Sequence, residues 1–171
     1  MRRFLVVAIV LCGHWCSTAY ANDVDDFPHQ AEDIRRYREE AARGDSSAQV
    51  ILGALYAAGR GVPQDYAEAL RWKKKAAAQG NPEAQYNLAV AYDNGQGVPR
   101  NYSKVYFWAN LAATLWPTDP TSVWKGLEEE KEGFVKFRDK AAAKLSPAQL
   151  LATQKRCRQW LEEFEKRKAQ K

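Results

Sequence analysis

Histidine and cysteine are scarce in this chain, and their scarcity limits the chemistry available to it. Its 171 residues include two histidines and three cysteines. His14, Cys12 and Cys16 lie within the first 21 residues, so only His29 and Cys157 remain beyond them. A zinc site made of His and Cys ligands needs more donors, and a nucleophile with a histidine base would depend on His29 alone. We therefore predict that the protein is not an enzyme and holds no metal or other cofactor.

The single cysteine beyond residue 21 also excludes an internal disulfide in that part of the chain. Cys157 shares a helical stripe with Leu150, Leu161 and Phe164, which favours a buried, small apolar side chain. The alternative is a thiol that pairs with a partner chain in an oxidising compartment. Packing alone must hold this part of the protein together.

No apolar run in the sequence is long enough to cross a bilayer as a helix. The longest, residues 4–11, follows Arg2 and Arg3 and precedes the small-x-small triplet Ala19-Tyr20-Ala21. A basic start, a short apolar core and a small-residue site are typical of a secretory signal peptide. We predict a signal peptide over residues 1–21, cleavage after Ala21, no stable membrane insertion afterwards, and a periplasmic or extracellular protein.

Neither sign of charge dominates the chain once the predicted leader is removed. The whole chain has 26 Lys+Arg against 21 Asp+Glu, and removal of Arg2 and Arg3 leaves 24 against 21, a net charge of +3. Basic clusters at 73–75 and 166–168 are matched by glutamates at 128–130, 162, 163 and 165. We interpret the clusters as solvated helix faces and predict no nucleic-acid partner.

A repeat of 36 residues organises the middle of the chain. Residues 41–76 align with 77–112 without gaps, and 14 of the 36 pairs are identical. The loop GRGVPQDY matches GQGVPRNY within this alignment. A fixed period of this length is typical of units that stack because none can bury its apolar face alone.

Each unit has the pattern of two helices joined by a tight loop. Asp45 and Asn81 are suited to cap the first helix, and apolar residues then recur at steps of three and four. Gly59 and Gly95 follow these stripes, where a left-handed residue can close a helix. Asp65 and Asn101 can cap the second helix of each unit.

The flanks of the repeats are also predicted to be helical. Residues 31–43, within a leader of 22–44, end in the same Ala-Ala-x-Gly form and are interpreted as the second helix of a degenerate leading unit. Whether this helix joins the stack is left open by the sequence. Downstream, Trp116 stands where a helix-ending glycine is expected, so regular repetition is predicted to stop there.

Two further helices are predicted beyond that break, over about 122–144 and about 147–166. Ser146 and Gln149 have the spacing of a capping box at the start of the second. Residues 117–171 are therefore predicted to form a helical pair that caps the open end of the stack.

The pattern A-x-x-x-L-G-x-x-Y-x-x-G-x-G-V-x-x-D-x-x-x-A-x-x-W-x-x-x-A-A-x-x-G in residues 48–80 resembles that of the Sel-one-like repeat (SLR) family, a branch of the tetratricopeptide superfamily. The resemblance covers about 31–113, with repeats at 45–80 and 81–116. It implies an all-α fold, an α-solenoid of antiparallel helix pairs, with a concave groove. The positions that carry it are Ala48, Leu52, Tyr56, Gly59, Gly61, Trp72, Gly80, Ala84, Leu88, Tyr92, Gly95, Gly97 and Trp108.

Aromatic framework residues in both copies have two interpretations. Tyr56, Tyr92, Trp72 and Trp108 could form an aromatic binding ladder, but their helical spacing favours the core of the stack. Better candidates for partner contact are first-helix positions at which the copies differ, because framework positions are already committed to packing. These candidates are Val50, Ile51, Ala54, Tyr86, Asn87, Val90 and Asp93. The alternative is that they face water or an adjacent helix.

The resemblance implies a protein partner, since members of this family act as adaptors, as regulators of membrane-bound signalling systems and in some cases as periplasmic inhibitors of toxins. We predict a non-catalytic, exported adaptor or regulator that uses the repeat groove. The alternative is an inhibitor or immunity protein that blocks a secreted enzyme. Binding or hydrolysis of cell-wall fragments is a third hypothesis, and the oligomeric state stays open.

Overall fold

The computed structural model describes residues 27–116 and 126–170, and the regular elements in these ranges are helices, as predicted. The predicted signal peptide, residues 22–26 and the break at 117–125 lie outside them. None of the helices described is both long and apolar enough to span a membrane. The helices are α1 (Phe27–Ala42), α2 (Ser46–Ala58), α3 (Tyr66–Ala78), α4 (Pro82–Asn94), α5 (Tyr102–Leu115), α6 (Gly126–Ala142) and α7 (Pro147–Ala169).

The predicted caps begin the four repeat helices. The side chain of Asp45 accepts a hydrogen bond from the Ala48 N–H at 2.7 Å, and Asn81 does the same for Ala84 at 3.0 Å. Asp65 and Asn101 cap α3 and α5 in the same way. These bonds satisfy backbone donors that the first turn of a helix leaves free.

The first helix of each repeat ends on a left-handed glycine. Gly59 has φ of 69° and Gly95 has φ of 72°, and each N–H closes the last turn onto the carbonyl of the residue four positions earlier. A left-handed residue there strains any side chain but costs glycine little. The seven-residue loops that follow each helix are therefore copies of one structure.

Consecutive helices from α2 to α6 pack against each other, so the two repeats form one stack. Leu52 of α2 and Leu88 of α4 are both 0% exposed. Leu88 belongs to an apolar cluster with Val50 and Leu70 of the first repeat and Ala84 of the second. The two hairpins share this core, as expected for an α-solenoid.

The last turns of α1 join the core of the first repeat. A boundary between two compact units falls after Arg36, and residues 37–42 belong to the unit that contains α2 to α7. Ala41 is buried against Ala48, Leu52 and Trp72. This segment occupies the position of a second helix that precedes α2, so the degenerate leading unit does contribute to the stack.

Lys73 is not part of a solvated face, and the prediction for the cluster 73–75 is wrong at this residue. Its side chain is 8% exposed and lies across Gly53, where an added Cβ would be 3.0 Å from the Lys73 Cγ. Burial lowers the pKa of the Lys73 ammonium group. The second copy has Ala89 and Ala109 at the equivalent positions, and the shorter Ala109 side chain leaves room for the Cβ of Ala89.

The two C-terminal helices predicted from the sequence are α6 and α7, and each of them packs against α5. α6 packs against α5, and its Phe134 and Phe137 lie 4.5 Å and 5.5 Å from the Tyr86 ring of α4, between ring centroids. α6 therefore occupies the place of the first helix of a next repeat.

α7 begins with the predicted capping box at Ser146 and Gln149, and then crosses back over the second repeat. It packs on α5, where Cys157 and Phe107 belong to one buried cluster. Further along, the Phe164 ring covers Gly80 in the turn between α3 and α4. α7 therefore covers part of the second repeat and also reaches the turn that joins the two repeats.

Candidate partner-binding surface

The aromatic framework residues are core residues, as their spacing indicated. Trp72 and Tyr92 are buried, and the half-buried Tyr56 and Trp108 pack against core clusters. The other framework positions are equally committed to the fold. Ala48 and Ala84 are buried, and Gly61, Gly80 and Gly97 have positive φ.

Two of the seven predicted contact residues are engaged inside the stack. Val50 is 4% exposed and packs in the cluster that joins the repeats, so its assignment to a partner-binding surface is wrong. Its counterpart Tyr86 packs against Phe134 and Phe137 of α6 and is not a free contact residue. The position differs between copies because each side chain matches a different following helix.

The remaining predicted residues lie on the outer sides of α2 and α4. Ile51 is 37% exposed and Ala54 is exposed, whereas their counterparts Asn87 and Val90 are half-buried. We call the surface made by these four residues the first-helix face. Asp93, one turn further along α4, is half-buried and lines a separate cleft with Arg100 and Tyr102.

Sequence reasoning missed the role of an identical glutamine in both copies. Gln49 is 3% exposed and donates from Nε2 to the Ala41 carbonyl at 3.0 Å, and Gln85 donates likewise to Ala77 at 3.2 Å. Each bond ties the last turn of the preceding helix to the next unit. The sequence signal for this role was a glutamine present in both copies on an otherwise apolar helix face, since the amide of a buried glutamine needs a hydrogen-bond partner.

The second loop also carries a charge that the first does not. Arg100 Nε donates a hydrogen bond to the Asp93 backbone oxygen. In the first repeat, Gln64 Nε2 donates the equivalent hydrogen bond to the Ala57 backbone oxygen at 2.9 Å. The replacement keeps the hydrogen bond and adds a guanidinium group beside Asp93.

Reactive groups are sparse on the surfaces described. Within residues 27–116 and 126–170, no group of three His, Cys, Asp or Glu side chains is arranged to hold a metal ion. Cys157 is 2% exposed and is not paired in a disulfide, in agreement with the predicted buried role. Burial raises the pKa of its thiol to about 11.

The Cys157 thiol is expected to be inert in the folded protein at pH 8. Both its raised pKa and its lack of exposure keep the reactive thiolate away from reagents. A maleimide should label the native protein at least tenfold more slowly than the urea-unfolded chain, as measured by mass spectrometry. Fast labelling of the native protein would contradict the buried position.

The same thiol makes stability depend on alkaline pH. Its folded pKa lies above the unfolded value of about 8.5, so its contribution to the free energy of unfolding is constant below that pH and falls as pH rises toward 11. A Cys157→Ala variant should lose this part of the alkaline decline in urea-unfolding experiments.

The repeats match a known family. Residues 46–81 and 82–115 each match the Sel1 repeat, within one residue of the bounds predicted from the sequence. No curated protein is significantly similar to the chain. The family match covers α2 to α5 and ends where the regular loop pattern ends.

Solved structures similar to this chain include the following two. One is a protective antigen present in uropathogenic Escherichia coli strains that displays an SLR fold, with 29% identity, a TM-score of 0.64, and coverage of 77% of this chain and 25% of the antigen. The chain thus spans about a quarter of the antigen's length. The other, a Sel1 repeat protein from Oxalobacter formigenes, has 22% identity, a TM-score of 0.47, and coverage of 64% and 48% of the two chains. Residues 46–115 of this chain are thus two Sel1 repeats packed into one helical stack, and the fold is similar to that of a solved SLR protein.

Proposed function

We propose that this protein is an exported adaptor or regulator that binds a protein partner on its first-helix face and performs no catalysis itself. Sel1 repeats are protein-interaction modules, typically non-catalytic scaffolds. Export follows from the signal-peptide pattern of residues 1–21, and the regulatory role from the use of such modules to bring other proteins together. The partner is a protein of the cell envelope or of the medium outside the cell.

The observation that supports this surface is the exposure of Ile51 on a rigid helix. At 37% exposed it is one of two large apolar side chains left exposed in the part of the chain whose side chains are described, the other being Leu151 at 64%. Ala54, one turn further along α2, is also exposed, and the half-buried Val90 is its counterpart on α4. The packed cores of α2 and α4 hold these helices in place. Apolar side chains on a preformed surface provide affinity with little ordering cost on binding.

A site-specific crosslink tests this assignment. A photoreactive residue at Ala54 in the full-length protein, produced in its own cells, is expected to capture one dominant partner identifiable by mass spectrometry. Ile51→Asp should lower that capture at least tenfold, because a carboxylate then faces apolar partner surface. Leu151→Asp on α7 is the matched control and should leave capture unchanged.

The identity of the captured protein distinguishes the two hypotheses. A sensor or envelope protein supports the adaptor role, whereas a secreted enzyme inhibited by the purified chain supports an inhibitor instead. Capture that Ile51→Asp and Leu151→Asp reduce equally, or not at all, rejects the first-helix face. Turnover of cell-wall fragments by purified protein would contradict the non-catalytic proposal.

Export is tested in the same cells. The exported form should begin at Asn22 and be found outside the cytoplasm, as measured by N-terminal sequencing after fractionation. A protein that keeps residues 1–21 in the cytoplasm would contradict it.

A further inference from the structure

The loop of the second repeat is seated on the first repeat. Residues 95–101 connect α4 to α5, and Gly97 lies against the start of α3. A Cβ at Gly97 would be 2.9 Å from the Tyr66 Cβ and 3.0 Å from the Leu70 Cδ1. A turn that contains two glycines with positive φ thus covers the Tyr66 end of α3.

No such loop follows at the next position in the stack. The connection from α6 to α7 has only the four residues 143–146, none of them glycine, whereas the repeat loops 59–65 and 95–101 have seven each. Tyr102 of α5, the counterpart of Tyr66, therefore lines an open cleft instead of lying under a loop. The cleft holds about 290 Å³ and has Val105, Phe137 and Ala141 as its apolar walls.

The rim of this cleft carries an excess of positive charge. Arg100, Lys140 and Lys144 line it together with a single carboxylate, that of Asp93. None of these three cations forms an ion pair with another residue of the described ranges. Arg100 donates from Nε to the Asp93 backbone oxygen, which leaves its two terminal nitrogens available for a ligand. Unpaired cations at the rim of a cleft favour an anionic ligand.

We propose that this cleft binds an acidic, glycine-containing turn of a protein partner, which lies on Tyr102 as residues 95–101 lie on Tyr66. The inference rests on the proposed function as a protein-binding module and adds a second surface with its own chemistry. Glycine allows the close approach that the Gly97 contact displays, and carboxylates pair with Lys140, Lys144 and Arg100. The first-helix face supplies apolar contact, and the cleft selects for negative charge.

A peptide derived from the chain's own loop is the probe. It has the sequence of residues 94–101 with Gln96→Glu and Arg100→Glu, and it is titrated into the isotope-labelled chain from residue 22 while backbone amide resonances are followed by NMR. Saturable shifts are expected at Tyr102, Phe137 and Lys140. The unaltered loop sequence, which carries the arginine instead, should bind at least tenfold more weakly.

Paired variants separate the cleft from general electrostatics. Lys140→Glu with Lys144→Glu should weaken binding of the acidic peptide at least tenfold, whereas Lys155→Glu with Arg158→Glu, an equal charge change at exposed positions of α7, should leave it within twofold. Should the first pair unfold the chain, Lys140→Gln with Lys144→Gln replaces it, with the same direction expected. Equal weakening by both pairs, or no saturable shifts in the cleft, overturns the proposal.

A second probe tests whether the ligand must be a peptide. Polyphosphate, a flexible polyanion without a polypeptide backbone, should bind more weakly than the acidic peptide. If it shifts the same resonances with equal or higher affinity, the cleft responds to charge alone and the peptide assignment is wrong. Crosslinking from Ala54 that still depends on Ile51, alongside failed peptide binding, would reject the cleft and leave the proposed function standing.

Discussion

Leu88→Ala is expected to lower the free energy of unfolding by about 3–5 kcal/mol, the range for removing a fully buried leucine side chain. Leu88 is 0% exposed and lies in the cluster that includes Val50 and Leu70 of the first repeat. A cavity there loosens the contact between the repeats as well as the packing within α4. Because small domains are stable by only about 5–15 kcal/mol, this is a large share of the total.

Urea unfolding followed by circular dichroism measures the effect. Leu151→Ala is the matched control, since Leu151 is 64% exposed and loses the same atoms from a helix surface. We expect it to change stability by less than about 1 kcal/mol. If the two variants lost equal stability, the assignment of Leu88 to a core shared by the two repeats would be wrong.

Gly80→Ala should destabilise the protein by about 2–4 kcal/mol, through two separate effects. Gly80 has φ of 86°, where an alanine is strained. In addition, the new Cβ would be 2.2 Å from the Phe164 Cζ, so the end of α7 must move. That ring is stacked on Trp160 at 5.0 Å between centroids, which limits how far it can shift alone.

Gly44→Ala separates these two effects. Gly44 has φ of 102° but no atom within 4 Å of an added Cβ, so only the backbone cost applies. In a Phe164→Ala background, the destabilisation caused by Gly80→Ala should fall to about that caused by Gly44→Ala. A double-mutant cycle in urea measures this coupling directly. An unchanged cost of Gly80→Ala without the Phe164 ring would show that α7 does not dock on this turn.

The local features of the repeats were predictable because they depend on neighbours in sequence. Asp45, Asn81 and Ser146 cap helices through bonds that span three residues. The 36-residue period also identified Leu52 and Leu88 as core residues, since identical apolar positions in stacked units face the same interior.

Variable positions were harder to interpret, because a variable residue can match either a partner or a neighbouring helix. Val50 and Tyr86 illustrate this, as both lie on helix faces that meet the following helix. Lys73 is a similar case. The charge of Lys73 predicted a solvent-exposed side chain. Gly53 has no side chain, however, and this leaves room for the aliphatic part of Lys73.

The amino-acid sequence alone determined the helices, their caps, the two repeats and the scarcity of catalytic groups, because each depends on residue type and short spacing. Only the tertiary structure decided that α7 turns back over α5 to Gly80, and that a basic cleft stays open at Tyr102. Both depend on which distant surfaces meet once a four-residue connection replaces a seven-residue loop. The repeats end before residue 117, so their period carries no information on where α6 and α7 pack.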